Sequence, residues 1–307
     1  MARKLRLQYP GAIYHVMNRG DHSEVIFRDD KDRQLLLGTL TEACDKADWH
    51  MHALCLMSNH FHFVLETPRA NLAEGMKWLL GTYTTRFNRK HHLFGHLFSG
   101  RYKAMPVDSS GNGYLKSACD YVHLNPVRAG LLLPEQSLRA YVWSSYPFYL
   151  KSPERRPRWL RVDRLLGEWG IPVDSEAGRE QFALRMEARR QAEAKGNPKL
   201  VERGWCLGGE EFRQELLLQM TTLSESKFGG PEWYESGENK AERMLGEELG
   251  RHSWTQVDLD ASPKAHPVKV EIARRLRSET TMTWAWIALH LRMGAPGYAA
   301  NACRNHR

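Results

Sequence analysis

Apolar and polar side chains alternate through Asn59-His60-Phe61-His62-Phe63-Val64-Leu65-Glu66. A period of two marks a β-strand, whose successive side chains leave on opposite faces. Phe61, Phe63 and Leu65 therefore share one face, and His60, His62 and Val64 the other. Shorter strand patterns precede and follow it. Residues 12–17 read as a first strand closed by the turn chemistry of Asn18-Arg19-Gly20, 49–57 as a strand running to a Ser58-Asn59 corner, and 101–107 as a fourth. On the 49–57 strand His50 and His52 also alternate, and they read as surface residues. Apolar positions recur at helical spacing over 31–48, 72–90 and from about 113 to 125. Pro126 biases the residue before it away from helical geometry, so this third helix is expected to end at Asn125.

Beyond residue 150 the pattern weakens. Lys151-Ser152-Pro153-Glu154-Arg155-Arg156-Pro157-Arg158 has linker composition, 178–195 and 210–220 read as charged helices, and 221–262 is polar with little periodicity. Periodicity returns over 268–278, 284–291 and 298–304, with Thr283 placed to N-cap the second of these and Met293-Gly294 breaking before the third. The chain is thus expected to be α+β: an antiparallel sheet flanked by helices over 1–150, a linker and helical spacer over 151–263, and an α-helical end over 264–307 that resembles a helix-turn-helix DNA-binding module.

Composition narrows the class. With 42% hydrophobic and 26% charged residues the chain is globular, and it contains no apolar run near the ~20 residues of a membrane span and no signal-peptide pattern after Met1. A cytoplasmic, nucleoid-associated protein with no membrane partner is expected, as a monomer or homodimer. Five scattered cysteines without a Cys-x-x-Cys pair indicate reduced thiols. The net charge is +8, unevenly spread: +5 over 1–150 (18 basic, 13 acidic), −3 over 151–263 (18 and 21) and +6 over 264–307 (8 and 2). Both ends could meet a polyanion, and the middle is not built for one.

The candidate chemistry begins with the two histidines. Imidazoles one strand step apart on the same face can ligate a divalent cation, although such pairs are also ordinary features of half-exposed strands. Asn125, four residues after Tyr121 and so on the same helical face, could add a side-chain oxygen and complete a mixed nitrogen and oxygen site suited to Mg2+ or Mn2+.

His60-Phe61-His62, followed some sixty residues later by Tyr121-Val122-His123-Leu124-Asn125-Pro126-Val127, resembles the HUH single-tyrosine transposases. It is most similar to their REP-associated tyrosine transposase branch, a resemblance that also takes in Tyr14-His15-Val16, Arg19-Gly20 and Ile26-Phe27-Arg28-Asp29 and covers about residues 1–150. The resemblance implies the ferredoxin-like HUH fold, His60, His62 and Asn125 as metal ligands, and Tyr121 as a nucleophile. It further implies cleavage and transfer of single-stranded DNA at REP-like hairpins through a 5′-phosphotyrosine. Tyr114, two turns before Tyr121 on the same face, is the rival nucleophile, but Ala118 stands where its metal-binding partner would have to be.

A basic stretch interleaved with rings supplies a DNA path. Between 86 and 103 lie Arg86, Arg89, Lys90, Arg101 and Lys103 without an acid, among His91, His92, Phe94, His96, Phe98 and Tyr102. Cations for phosphates beside rings for unstacked bases is the composition of a single-strand channel. Arg19 joins this DNA-binding set. Arg128 is placed either on the DNA backbone or on the carbonyls of its own helix end. Two other classes stay open: a domesticated hairpin-binding protein without turnover, and a metal hydrolase of small phosphoesters.

Overall fold

The computed structural model describes residues 7–133, 135–194, 204–225 and 237–305. Four strands, β1 (Ala12–Arg19), β2 (His50–Leu56), β3 (His60–Thr67) and β4 (Lys103–Val107), form an antiparallel sheet in the order β2-β3-β1-β4. β1 runs two residues further than its expected turn, because Asn18 and Arg19 continue the ladder opposite Phe61 and His60. The helices of this part are α1 (Asp30–Ala47), α2 (Leu72–His91) and α3 (Tyr114–Arg128). The alternation of β3 sorts them: Phe61 contacts Phe98, which contacts Tyr83 of α2, while α3 crosses β2, β3 and β4 on the histidine side. α1 packs along α2.

α3 does not stop at Asn125. It carries Pro126 within its last turn and ends at Arg128, where the missing proline N–H costs a single helical bond. The carbonyls of Asn125 and Pro126 are satisfied by the N–H groups of Ala129 and Leu131, at 2.9 and 2.8 Å.

The core also continues past residue 150, so no boundary falls there. After α4 (Tyr146–Tyr149), Trp159 and Leu160 run beside β2, where Met51 N–H donates to Trp159 O and Arg161 N–H to Met51 O, both at 2.8 Å. α5 (Asp163–Glu168) and α6 (Glu176–Ala194) add Leu165, Leu166, Phe182 and Met186 to the same core, with Phe182 against Tyr149 at 5.2 Å. The run 151–158 has linker composition, but Arg156 is folded in, tied to Asp174 and to the carbonyl of Phe148. Both sheet edges are occupied: β2 by 143–145 and 159–161, and β4 by Leu207, whose N–H donates to Pro106 O at 2.8 Å. Covered edges remove the template for strand addition. α7 (Glu210–Glu225) follows.

Five helices make a second core: α8 (Gly237–Arg251), α9 (Gln256–Ala261), α10 (Pro267–Glu279), α11 (Trp284–His290) and α12 (Pro296–Asn305). α8 and α9 occupy a region expected to lack periodicity; of that region, 226–236 lies outside the described residues. α8 offers this core Ala241, Met244, Leu245 and the partly buried Leu249, set among many charges. Thr283 does cap α11, accepting from Trp286 N–H at 3.2 Å. The unit docks on α1 mainly through Lys46, with Lys240 of α8 donating to Lys46 O at 3.4 Å. The Lys46 ammonium donates to the carbonyls of Arg277, Ser278 and Thr280 at the end of α10, which favours a cation there.

Candidate active site

β1 and β3 pair with Arg19 opposite His60, Met17 opposite His62 and His15 opposite Val64, so these side chains share the face that α3 covers. Tyr121 descends from α3 onto it. Its ring lies edge-on to His62 at 5.8 Å between centroids and to His15 at 5.6 Å. The rings of His60 and His62 are 5.1 Å apart and nearly perpendicular.

Hydrogen bonds orient both histidines. His60 Nδ1 lies 2.7 Å from Asn59 Oδ1, and the Asn59 amide nitrogen donates to Ser23 O at 3.0 Å. Because that carbonyl can only accept, Oδ1 faces the ring and His60 Nδ1 must carry the proton. His62 Nδ1 lies 3.0 Å from His15 Nε2. Neither Nε2 has a hydrogen-bond partner among the described residues. Burial lowers the pKa of His60, helped by Arg19, and pushes that of His62 far down, helped by His15 and His60; His15 falls to about 4 by burial. All three rings are neutral at pH 7, the form that binds metal.

Asn125 is buried, and its amide nitrogen has no hydrogen-bond partner among the described residues. No cluster of three or more His, Cys, Asp or Glu side chains able to hold a metal occurs among them either. The unsatisfied atom of Asn125 is a donor and does not itself ligate a cation; the groups left open to a divalent ion are the Nε2 atoms of two neutral imidazoles, with further ligands to come from a side-chain oxygen, water or phosphate. Tyr114 points elsewhere, its hydroxyl beside Gly209.

Arg128 is fully engaged. Its guanidinium lies 4.6 Å from the centre of the Tyr121 ring, donates to Tyr121 O at 3.2 Å, and forms a two-point ion pair with Glu193 of α6 at 2.8 and 2.5 Å. Of its two expected roles, contact with a carbonyl of its own helix is the one seen. Glu193, sixty-five residues away, gives no local signal in the sequence.

The expected DNA path divides in two. Arg86 makes a two-point pair with Glu42 at 2.6 and 2.9 Å, Lys90 holds Asp29 and Asp32, and His91 contacts Asp32 at 2.9 Å, so these groups tie α2 to α1. Phe98 and Tyr102 belong to the core. On the exposed side remain Arg19, Arg89, Arg101 and Lys103, with His92, Phe94 and His96 in the loop after α2. That loop runs beside the histidine end of the sheet: Asp21 N–H donates to Leu97 O and Ser99 N–H to Arg19 O, both at 3.0 Å. Lys103 stands opposite Met17 and so on the histidine face, and Phe94 is 98% exposed.

His52 corrects a sequence expectation, being buried rather than on the surface and bonded to Glu66 at 3.0 Å. Arg161 and Arg164 close on the same carboxylate at 3.1 and 3.2 Å.

The site thus combines a tyrosine helix with paired histidines on an antiparallel sheet. Residues 8–125 match the family described as "Transposase IS200 like". No curated protein matches the chain. Among solved structures, a REP-associated tyrosine transposase bound to a REP hairpin aligns with 48% of this chain and 84% of its own, at 12% identity and a TM-score of 0.41. No described helix is long and apolar enough to cross a membrane.

Proposed function

We propose that the protein is a metal-dependent single-strand DNA endonuclease and strand transferase, acting at REP-like hairpins through a covalent 5′-phosphotyrosine. The observation that carries the reading is the Tyr121 ring set against His62 on the face that also bears His60. His60 and His62 would hold Mg2+ or Mn2+ through Nε2, with Asn125 as third ligand. Such an ion, when bound, supplies positive charge at a non-bridging oxygen of the scissile phosphate. The Tyr121 oxygen attacks phosphorus; its bond to phosphorus forms as the bond to the 3′ oxygen breaks, and that oxygen leaves as a hydroxyl. The phosphodiester energy is kept in the tyrosine ester for rejoining. Arg128, stacked on the ring, and His15, at its edge, keep the tyrosine from swinging away. Arg19 and Lys103 lie where the flanking phosphates would pass, and Phe94 offers a face to an unstacked base.

The test is incubation of the full-length protein with end-labelled hairpin DNA and Mn2+ or Mg2+, followed by a denaturing gel. A covalent adduct is expected, absent in Tyr121→Phe and retained in Tyr114→Phe, with hairpin binding intact in both. Tight binding without adduct in the wild-type protein would instead make it a hairpin-binding protein without turnover.

A further inference from the structure

His15 touches both halves of the site: its Nε2 is 3.0 Å from His62 Nδ1, and its ring meets Tyr121 edge-on at 5.6 Å. It is held in the middle of the sheet, between Val64 of β3 and Met105 of β4. We infer that His15 is a positioning residue that accepts a hydrogen bond from His62 Nδ1–H and thereby holds His62 in the tautomer whose Nε2 is open to a metal ion. This inference rests on the metal reading of the site given above.

Two neutral imidazoles sharing one hydrogen bond can place the proton on either nitrogen. With the proton on His15 Nε2, the lone pair of His62 Nδ1 is spent on His15 and His62 Nε2 carries hydrogen, which closes it to metal. With the proton on His62 Nδ1, Nε2 keeps its lone pair. That second state matches His60, whose Nδ1–H is fixed by Asn59 and Ser23, so both rings then present the same kind of atom. Metal-binding histidines generally donate their other N–H to a fixed acceptor, which sets tautomer and ring orientation together. Here the acceptor is an imidazole rather than the usual carboxylate or carbonyl. The two rings lie 17° from parallel with centroids 5.2 Å apart, nearly coplanar and edge to edge, which is the alignment an N–H···N bond requires.

The decisive measurement needs no metal: nitrogen NMR of the full-length protein labelled with 15N-histidine, at pH 7, with His62→Gln to assign the signals. The expected state of His62 is a protonated Nδ1 and an unprotonated Nε2; the reverse would overturn the inference. A second arm measures Mn2+ affinity without DNA. His15→Leu should weaken it by roughly 10- to 100-fold, and His15→Gln, which restores an acceptor oxygen, should stay within roughly threefold of wild type. Equal affinities in wild type and His15→Leu, or a His15→Gln protein as weak as His15→Leu, would show that His15 merely fills space. Failure of the wild-type protein to bind Mn2+ through His60 and His62 would sink the metal reading, and the tautomer measurement would still decide the role of His15.

Discussion

On the histidine face of the sheet polar atoms are left over, whereas in the helical unit at the other end most of the cations are engaged by its own carbonyls and carboxylates. His60 and His62 keep an unspent Nε2, Asn125 an unsatisfied amide, and Arg19 and Lys103 reach solvent. In the unit of α8 to α12, Lys269 is buried and donates to Leu259 O and Ser262 O at 2.6 and 2.9 Å. Arg274 donates to Cys303 O and Arg277 to Met282 O, both at 2.7 Å, while Arg275 pairs with Glu248 and Glu279 and Arg292 with Asp260. A polar atom without a partner in its own fold stays available to a ligand. A cation already paired inside its own fold says little about phosphates.

The sharpest way to break this contrast is at the unspent atoms. His60→Ala and His62→Ala should each lower cleavage by roughly 10²- to 10³-fold, the usual effect of removing one element of transition-state charge stabilisation. His62→Ala also loses its bond to His15 and leaves a cavity, and His60→Ala loses its bond to Asn59, so cleavage is compared at a temperature where thermal melts show each variant folded. A variant that cleaves normally in the presence of a chelator would make the pair structural and place it with the engaged groups.

Glu66 is the opposite case on the same strand. His52, Arg164 and Arg161 hold its carboxyl down at about 2 against the opposing pull of burial. A carboxyl whose folded pKa lies below its ordinary 4.5 contributes stability at pH above 4.5 and loses it as the pH falls toward 2. Glu66→Gln should therefore unfold at lower urea at pH 7, and its stability should fall less than that of wild type between pH 4.5 and 2. Parallel pH profiles for the two proteins would show that the arginines stabilise nothing through this group.

The same contrast accounts for what was legible in the sequence. Strands, helices and the His60, His62 and Tyr121 set can be read locally, because a period of two or of 3.6 and a short motif suffice. His15 could not be tied to His62, since that needs the pairing of β1 with β3 across almost fifty residues. The ion pairs of Arg86, Lys90 and Arg128 could not be foreseen, because Glu42, Asp32 and Glu193 come from other elements. His52 reads as a surface residue under strict alternation with His50, whereas the β2–β3 register shifts between Met51 and Ala53 and breaks that alternation at His52. The boundary at 150 followed composition, which reports solvation along the chain and is silent on whether Trp159 and Phe182 return to the core.

The smallest effect expected concerns the basic end. Residues 264–307 carry a net +6, but the folded unit, 237–305, contains ten basic and eight acidic side chains, since α8 and α9 belong to it. A cut at Lys264 would split its core, so the informative truncation ends the chain after Glu225. For every phosphate that the shortened protein no longer neutralises, the slope of log affinity against log salt falls by roughly 0.7 to 0.9. If the +6 acted as a free patch, the slope would drop by roughly three or more; with the arginines engaged internally, a drop of no more than roughly one to two is expected. Cleavage of saturating hairpin should survive, because α10 docks on α1 through Lys46 whereas Tyr121 and the histidines lie on the α3 side of the sheet. A drop of three or more would mean that the internal pairs open onto DNA and that α10 to α12 act as the helix-turn-helix reader their spacing resembles. Unchanged affinity and slope would leave the unit as packing for α1, and loss of cleavage in a folded truncated protein would mean that Lys46 and its helix-end carbonyls support the site through the sheet.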